Sequence, residues 1–140
     1  MAVNYGRPAN PEAFIIAKLL SLGLPAVPER NQSTGLPCYV VTSVVNKSNR
    51  YLLEATVSVH SFAQGDGETE MGRAQASDAA WDADDLLLSQ TPGDVVTMPD
   101  GRTAGAWIDP HTPPTFADYR DPFIKRYVAR YDALLRFQPT

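Results

Sequence analysis

Apolar positions recur along this chain with two different periods, and the switches between them divide it into elements. Ala13, Ile16, Ala17 and Leu20 recur at helical spacing. Asn10 is placed to accept hydrogen bonds from the free first-turn amides. Pro11 suits the first helical position, where its missing N–H would go unpaired anyway, and Glu12 meets the positive end of the dipole. Gly23 supplies a left-handed terminus, so the pattern predicts a helix over 11–22. Pro25 and Pro28 then force extended backbone, and Asn31-Gln32-Ser33-Thr34-Gly35 reads as a polar loop.

Residues 36–45 are β-rich, Asn46-Lys47-Ser48-Asn49 is a turn signal, and 50–63 alternates. Leu53, Ala55, Val57 and Val59 point one way while Glu54, Thr56, Ser58 and His60 point the other, which predicts an antiparallel hairpin. Gln64-Gly65-Asp66-Gly67 breaks the alternation, and a long helix is expected from there to about Gln90. On it Ala76, Ala79, Ala80, Ala83, Leu86 and Leu87 share one face, and Asp78, Asp82 and Asp85 form a stripe opposite. Asp66, Glu68 and Glu70 read as N-terminal acids of that helix. Trp81 falls beside the aspartate stripe, off the core face, and so wants a second surface to cover it.

Thr91-Pro92-Gly93 ends the helix, and 94–98 and 102–108 flank a Pro99-Asp100-Gly101 turn as a second hairpin. With Pro110, Pro113, Pro114 and Pro122, residues 109–122 read as an irregular surface arm. From Arg126 to Phe137 the chain alternates strictly. Tyr127, Tyr131, Leu134 and Leu135 would also suit a helix, but the tyrosines, Val128 and one-sided arginines favour a strand. The fold class expected is therefore α+β: an antiparallel or mixed sheet with one long helix packed on one face and a short N-terminal helix. It should form a single domain over 1–140 with a proline-rich arm at 109–122.

Composition narrows the function classes. Hydrophobic residues make up 44% and charged residues 20%, which excludes a disordered chain. No apolar run approaches the roughly 20 residues needed to span a bilayer, and Met1 to Pro8 lack the apolar core of a signal peptide, so a cytoplasmic place of synthesis is expected. The net charge of −4 conceals a segregation: residues 66–100 hold nine acids against Arg73 alone, a local −8 that leaves +4 elsewhere. Such separation suits contacts between copies or partners better than nucleic-acid binding, which favours a broadly basic face.

Candidate chemistry is sparse. Cys38, His60 and His111 do not have zinc spacing, and Cys38 in its apolar run reads as a buried, inert thiol. Asp66, Glu68 and Glu70 lack the closing glutamate of a calcium loop, and Gly65 and Gly67 lack the context of a phosphate loop. The aspartate stripe offers no asymmetry of the kind that acid–base pairs need. Arg126 and Arg130 with Tyr127 and Tyr131 could grip a nucleic-acid strand. The outward side of an ordinary strand explains them better. No catalytic residue, metal or cofactor is expected.

The element order resembles that of the tail terminator proteins of long-tailed phages, especially actinobacterial siphophages. It is carried by the short N-terminal helix, the hairpin ending Thr56-Val57-Ser58-Val59-His60-Ser61-Phe62-Ala63, the helix with Ala76, Ala79, Ala83 and Leu87, and the ending Arg126-Tyr127-Val128-Ala129-Arg130-Tyr131. It covers roughly residues 10–137, in layout rather than in a sharp motif. The resemblance implies a virion protein of the tail or neck, assembled in the host cytoplasm. It implies a homo-oligomeric ring, hexameric in that family, which sits on the last ring of tail tube protein and halts tube growth. The ring then offers a surface to the head–tail connector or stopper protein, and DNA passes through its channel without specific binding; no membrane is involved. Subunit-interface candidates are Trp81, Asp78, Asp82 and Asp85 against Arg126, Arg130 and Arg136 of the next copy. The alternatives are another neck protein (an adaptor or stopper), a small non-catalytic interaction module acting as a monomer, or an enzyme whose site forms across subunits around His60.

Overall fold

The computed structural model describes residues 10–31, 33–48 and 52–137. Gln32, Asn49 and Arg50, which belong to the loop, turn and strand expected above, lie outside them, as do residues 1–9. The N-terminal helix α1 runs over Pro11–Leu19 and tightens into a 3-10 turn, Leu20–Leu22. Asn10 Oδ1 accepts from the amides of Glu12 and Ala13 at 2.9 and 3.3 Å, and Gly23 closes the far end at φ 88°. Both ends thus stop where short-range hydrogen bonding predicts.

Six strands form one mixed sheet: β1 (Ala26–Val27), β2 (Cys38–Ser48), β3 (Leu52–Gln64), β4 (Val96–Thr97), β5 (Thr103–Ala117) and β6 (Ile124–Phe137). Their spatial order is β1-β2-β3-β6-β5-β4, with β1 parallel to β2 and every other pair antiparallel. The segment that suited helix or strand is the long strand β6, held between β3 and β5. The turn signal at 46–48 does not turn the chain; those residues continue β2, with an irregularity between Val45 and Lys47.

The proline-rich arm is corrected as well. Residues 109–117 continue β5, and only 118–122 loop away. Register slips between Pro110 and Thr112 and again between Thr112 and Thr115 absorb the prolines. β4 pairs only with Thr103 and Ala104, so beyond Ala104 the outer side of β5 is an edge among the described strands, and a residue without an N–H costs no ladder bond there.

The second helix, α2 (Arg73–Leu88), is 16 residues long, shorter than its periodicity suggested. The Asp66 carboxylate accepts from the amides of Glu68 and Thr69 and from the Thr69 hydroxyl at 3.0, 2.8 and 2.7 Å, and this local turn competes with helix. These bonds hold the Asp66 carboxyl down at about 2. Asp66, Glu68 and Glu70 therefore belong to the preceding loop and not to the helix's first turn, which contains no acid. Gly72 sets the start, at φ 89°, where a Cβ would collide with the backbone carbonyl of Gln64. Gly72→Ala is expected to cost about 2–3 kcal/mol from left-handed strain plus overpacking, read as a lower denaturant midpoint.

Both helices cover one face of the sheet. The core joins Phe14, Ile15 and Leu19 of α1 and Ala79, Ala83 and Leu87 of α2 to Val57, Val59, Tyr131 and Leu135 beneath them. The small residues of α2 let its backbone approach closely, and two sheet tyrosines pin it. Tyr39 Oη donates to the Ala79 carbonyl at 2.7 Å, and Tyr131 Oη donates to Asp84 Oδ1 at 2.8 Å. Burial, aided by the Asp82 charge, pushes the Tyr39 hydroxyl up to about 12.

Candidate functional site

Among the described residues both helices lie on one side, and the period of two leaves the other side of the sheet uncovered by them over most of its area. Glu54, Thr56, Ser58, His60 and Phe62 of β3 face that way, alongside Leu134, Asp132, Arg130, Val128 and Arg126 of β6. Across β6, Trp107 and Asp109 of β5 stand opposite Leu134 and Asp132. The end near Cys38, Phe62 and Ile124 is closed by a second apolar cluster that includes Leu36 and Tyr119. Cys38 is wholly buried there, and burial pushes its thiol up, which fits the inert role expected of it.

Three zones follow along the open face. The first is a cleft of about 320 Å3 lined by His60, Arg126, Arg130, Thr112, Thr115 and Val128 among others. The second is a shallow cleft of about 380 Å3 between Trp107 and Leu134, rimmed by Glu54, Asp109 and Asp132. Here Asp132 is engaged by His111 Nδ1 at 3.2 Å and by the Thr56 hydroxyl at 3.4 Å. The third holds Arg136, exposed near the end of β6. Six residues of strand separate it from Arg130, about 20 Å at about 3.3 Å per residue. The fold thus brings Arg126 and Arg130 together with His60 and leaves Arg136 apart.

The acidic candidates lie on the other side of the molecule. Asp78, Asp82 and Asp85 are exposed on the outer surface of α2, and Trp81 among them is 46% exposed. Within one chain, two layers of structure separate them from the arginines. Asp84 behaves differently from its neighbours: it is buried and accepts the Tyr131 hydroxyl. Helical spacing, four residues from Ala80 and three from Leu87, carried that signal, which counting it as one more acid missed. Trp107, also 46% exposed, was likewise passed over as ordinary strand.

Arg126 and Arg130 do not share a face with Tyr127 and Tyr131. Alternation sends the tyrosines toward the helices, where Tyr131 is fully buried and Tyr127 packs edge-on against Phe116. A stacking clamp of arginine and tyrosine for a nucleic-acid strand is therefore not formed. Among the described residues no group of three His, Cys, Asp or Glu side chains is placed to hold a metal ion, and no helix is long and apolar enough to cross a membrane.

His60 is the titratable centre of the open face. Burial first, then the charges of Arg126 and Arg130, hold its pKa below the usual 6.5. The folded state thus binds fewer protons than the unfolded chain, so the contribution of His60 to folding is fully present above about pH 6.5 and is lost as the pH falls from there through its lower folded-state pKa. His60→Gln should flatten the stability curve between pH 7 and 5. Parallel acid dependence of wild type and variant in urea melts would remove His60 as the cause. Asp66 does not confuse this window, since its effect is lost only between 3.8 and about 2.

These features define a class: an α+β domain with a one-sided helical layer, an acidic tryptophan-bearing outer surface and a mixed-charge open sheet face. No protein-family model and no curated protein matches the chain.

Proposed function

We propose that this chain is a structural subunit that assembles with copies of itself into a closed ring, acting as the tail terminator of a long-tailed phage. The observation that carries the proposal is the pair of unlike surfaces, uncovered among the described residues, on opposite sides of one protomer: Trp81 with Asp78, Asp82 and Asp85 on α2, and the arginine-bearing open sheet. Unlike surfaces on one subunit make a heterologous contact, which closes into a ring when the rotation per subunit permits and otherwise runs on as a filament. Opposed charge fixes the register, and the tryptophan anchors the contact in apolar surface such as that around Trp107 and Leu134.

In this reading the ring is hexameric, as the resemblance to terminators implies, and caps the last ring of tail tube protein. Growth stops because the exposed face of the cap does not reproduce the tube end. The opposite face receives the connector or stopper protein of the neck, and DNA is threaded through a channel whose acidic residues repel phosphates. The ring's place is the virion. Another neck component remains the competing assignment.

Negative-stain microscopy of the purified protein, with and without isolated tail tubes, tests this. Rings that cap tube ends and arrest their elongation are expected. Rings that bind only the portal end of capsids would instead identify an adaptor or stopper. A protein that stays monomeric in the presence of tubes and leaves their growth unchanged would overturn the proposal.

A further inference from the structure

The cleft at His60, Arg126 and Arg130 holds more donor capacity than the protein uses. His60 Nδ1, a donor in one tautomer of the imidazole, and Arg126 Nε are both buried with no hydrogen-bond partner among the described residues. Arg126 directs one Nη2 bond to the Asp118 carbonyl at 2.8 Å and lies over the Tyr119 ring at 5.3 Å, two contacts that hold the guanidinium without engaging its Nε. Arg130 is exposed and forms no ion pair within 4 Å among the described residues. Its cross-strand neighbours are Ser58 and Thr112, and those of His60 are Val40 and Val128, so no acid stands opposite either side chain. The nearest acid along β6, Asp132, is taken up by His111 and Thr56. The Asp118 side chain is exposed beyond the sheet end.

Buried donors with no acceptor are costly, by about 1–3 kcal/mol each, and unpaired cations held together repel. Both penalties vanish if an anion enters. The register slips of β5 run along the wall of this cleft, and slips of this kind re-aim side chains. Here they bring Thr112 to the same pocket. We propose that the cleft is a binding site for a phosphate group, whose several oxygens take up His60, Arg126 Nε, Arg130 and the Thr112 hydroxyl together.

A carboxylate from a neighbouring copy fits less well. An aspartate carboxylate is tethered to its helix by a single methylene, whereas a phosphate enters the cleft unconstrained. The carboxylate also offers two oxygens where a phosphate offers three or four. The anion restores the His60 proton affinity that the two arginines depress.

The test is a titration of the full chain at low concentration, below any self-association, with inorganic phosphate, following the His60 imidazole by NMR. Saturable binding is expected, with the His60 pKa rising by about one unit at saturation. Arg130→Gln should weaken binding about tenfold, as for loss of one charge-assisted bond. Arg136→Gln, on the same face but about 20 Å away, should leave it unchanged. A parallel titration with dimethyl phosphate separates the sources: equal binding points to a phosphodiester backbone, and binding of inorganic phosphate alone to a monoester or the free ion. A linear, unsaturable response, or equal weakening by both arginine variants, would overturn the site. So would a His60 signal that ignores phosphate but changes with protein concentration and loses that dependence when Asp78, Asp82 and Asp85 are made asparagine. That last result would leave the ring proposal standing, because it assigns the cleft to a neighbouring copy.

Discussion

Tyr131→Ala is expected to lower Tm by roughly 15 °C, the largest stability loss of any single side chain on the sheet. Tyr131 is fully buried between β6 and α2, and its hydroxyl reaches the Asp84 carboxylate at 2.8 Å. Burial, with that hydrogen bond and the Asp84 charge, pushes the phenol well above its ordinary pKa, so it stays a donor at every relevant pH. Removing the ring opens a cavity worth about 3–5 kcal/mol under a helix whose alanines cannot collapse into it. It also leaves a buried carboxylate without its donor, an additional loss of about 1–3 kcal/mol. Tyr131→Phe separates the two contributions, since it keeps the ring and should show only the smaller one. If calorimetry gave the two variants equal midpoints, the packing of α2 on β6 would not be what holds the layers together.

If the protein assembles into the proposed ring, Trp81→Glu is expected to abolish its formation while leaving the far-ultraviolet circular dichroism spectrum unchanged. Trp81 is 46% exposed and contributes nothing to the core cluster, so the fold should lose no more than about 1 kcal/mol, mostly through new repulsion with Asp78 and Asp85 at helical spacing. Assembly loses its anchor and gains a charge in the contact, which for a central tryptophan is worth several kcal/mol per interface, about 2 or more by truncation alone. Closure compounds the effect, because every interface in the ring carries the same lesion. Arg136→Glu, on the open sheet face but outside the His60 cleft, should weaken assembly from the other surface, and combining it with Asp82→Arg should restore part of it. Sedimentation velocity in the presence of tail tubes reads all three. Wild-type assembly of Trp81→Glu would move the interface away from α2.

Legibility in the sequence followed the range of the interactions involved. The ends of helix α1 were readable because they depend on Asn10, Pro11 and Gly23, all within a turn of what they cap, but its buried face was not: Phe14, Ile15 and Leu19 face the sheet, while Ala13, Ile16 and Ala17 are half-buried and Leu20 is exposed. The alternation of β3 and β6 was readable because one face of each strand is buried and the other is not. The proline segment at 109–117 was misread because proline is excluded from a strand only where a ladder bond is needed, and whether β5 has an outer neighbour there depends on where β4 ends. The early start given to α2 failed because a glycine's hand and an aspartate's local turn outweighed the helical period.

Composition, alternation and charge bias by themselves determined an α+β chain with an acidic helix surface and an arginine-bearing strand. Tertiary structure alone decided that these two surfaces face opposite ways, that Asp84 is a core residue among surface aspartates, and that His60 joins Arg126 and Arg130 but not Arg136. The physical reason is that period and propensity act through neighbours along the chain, whereas which residues share a pocket depends on strand order. Placing β6 between β3 and β5 brought together side chains more than sixty residues apart.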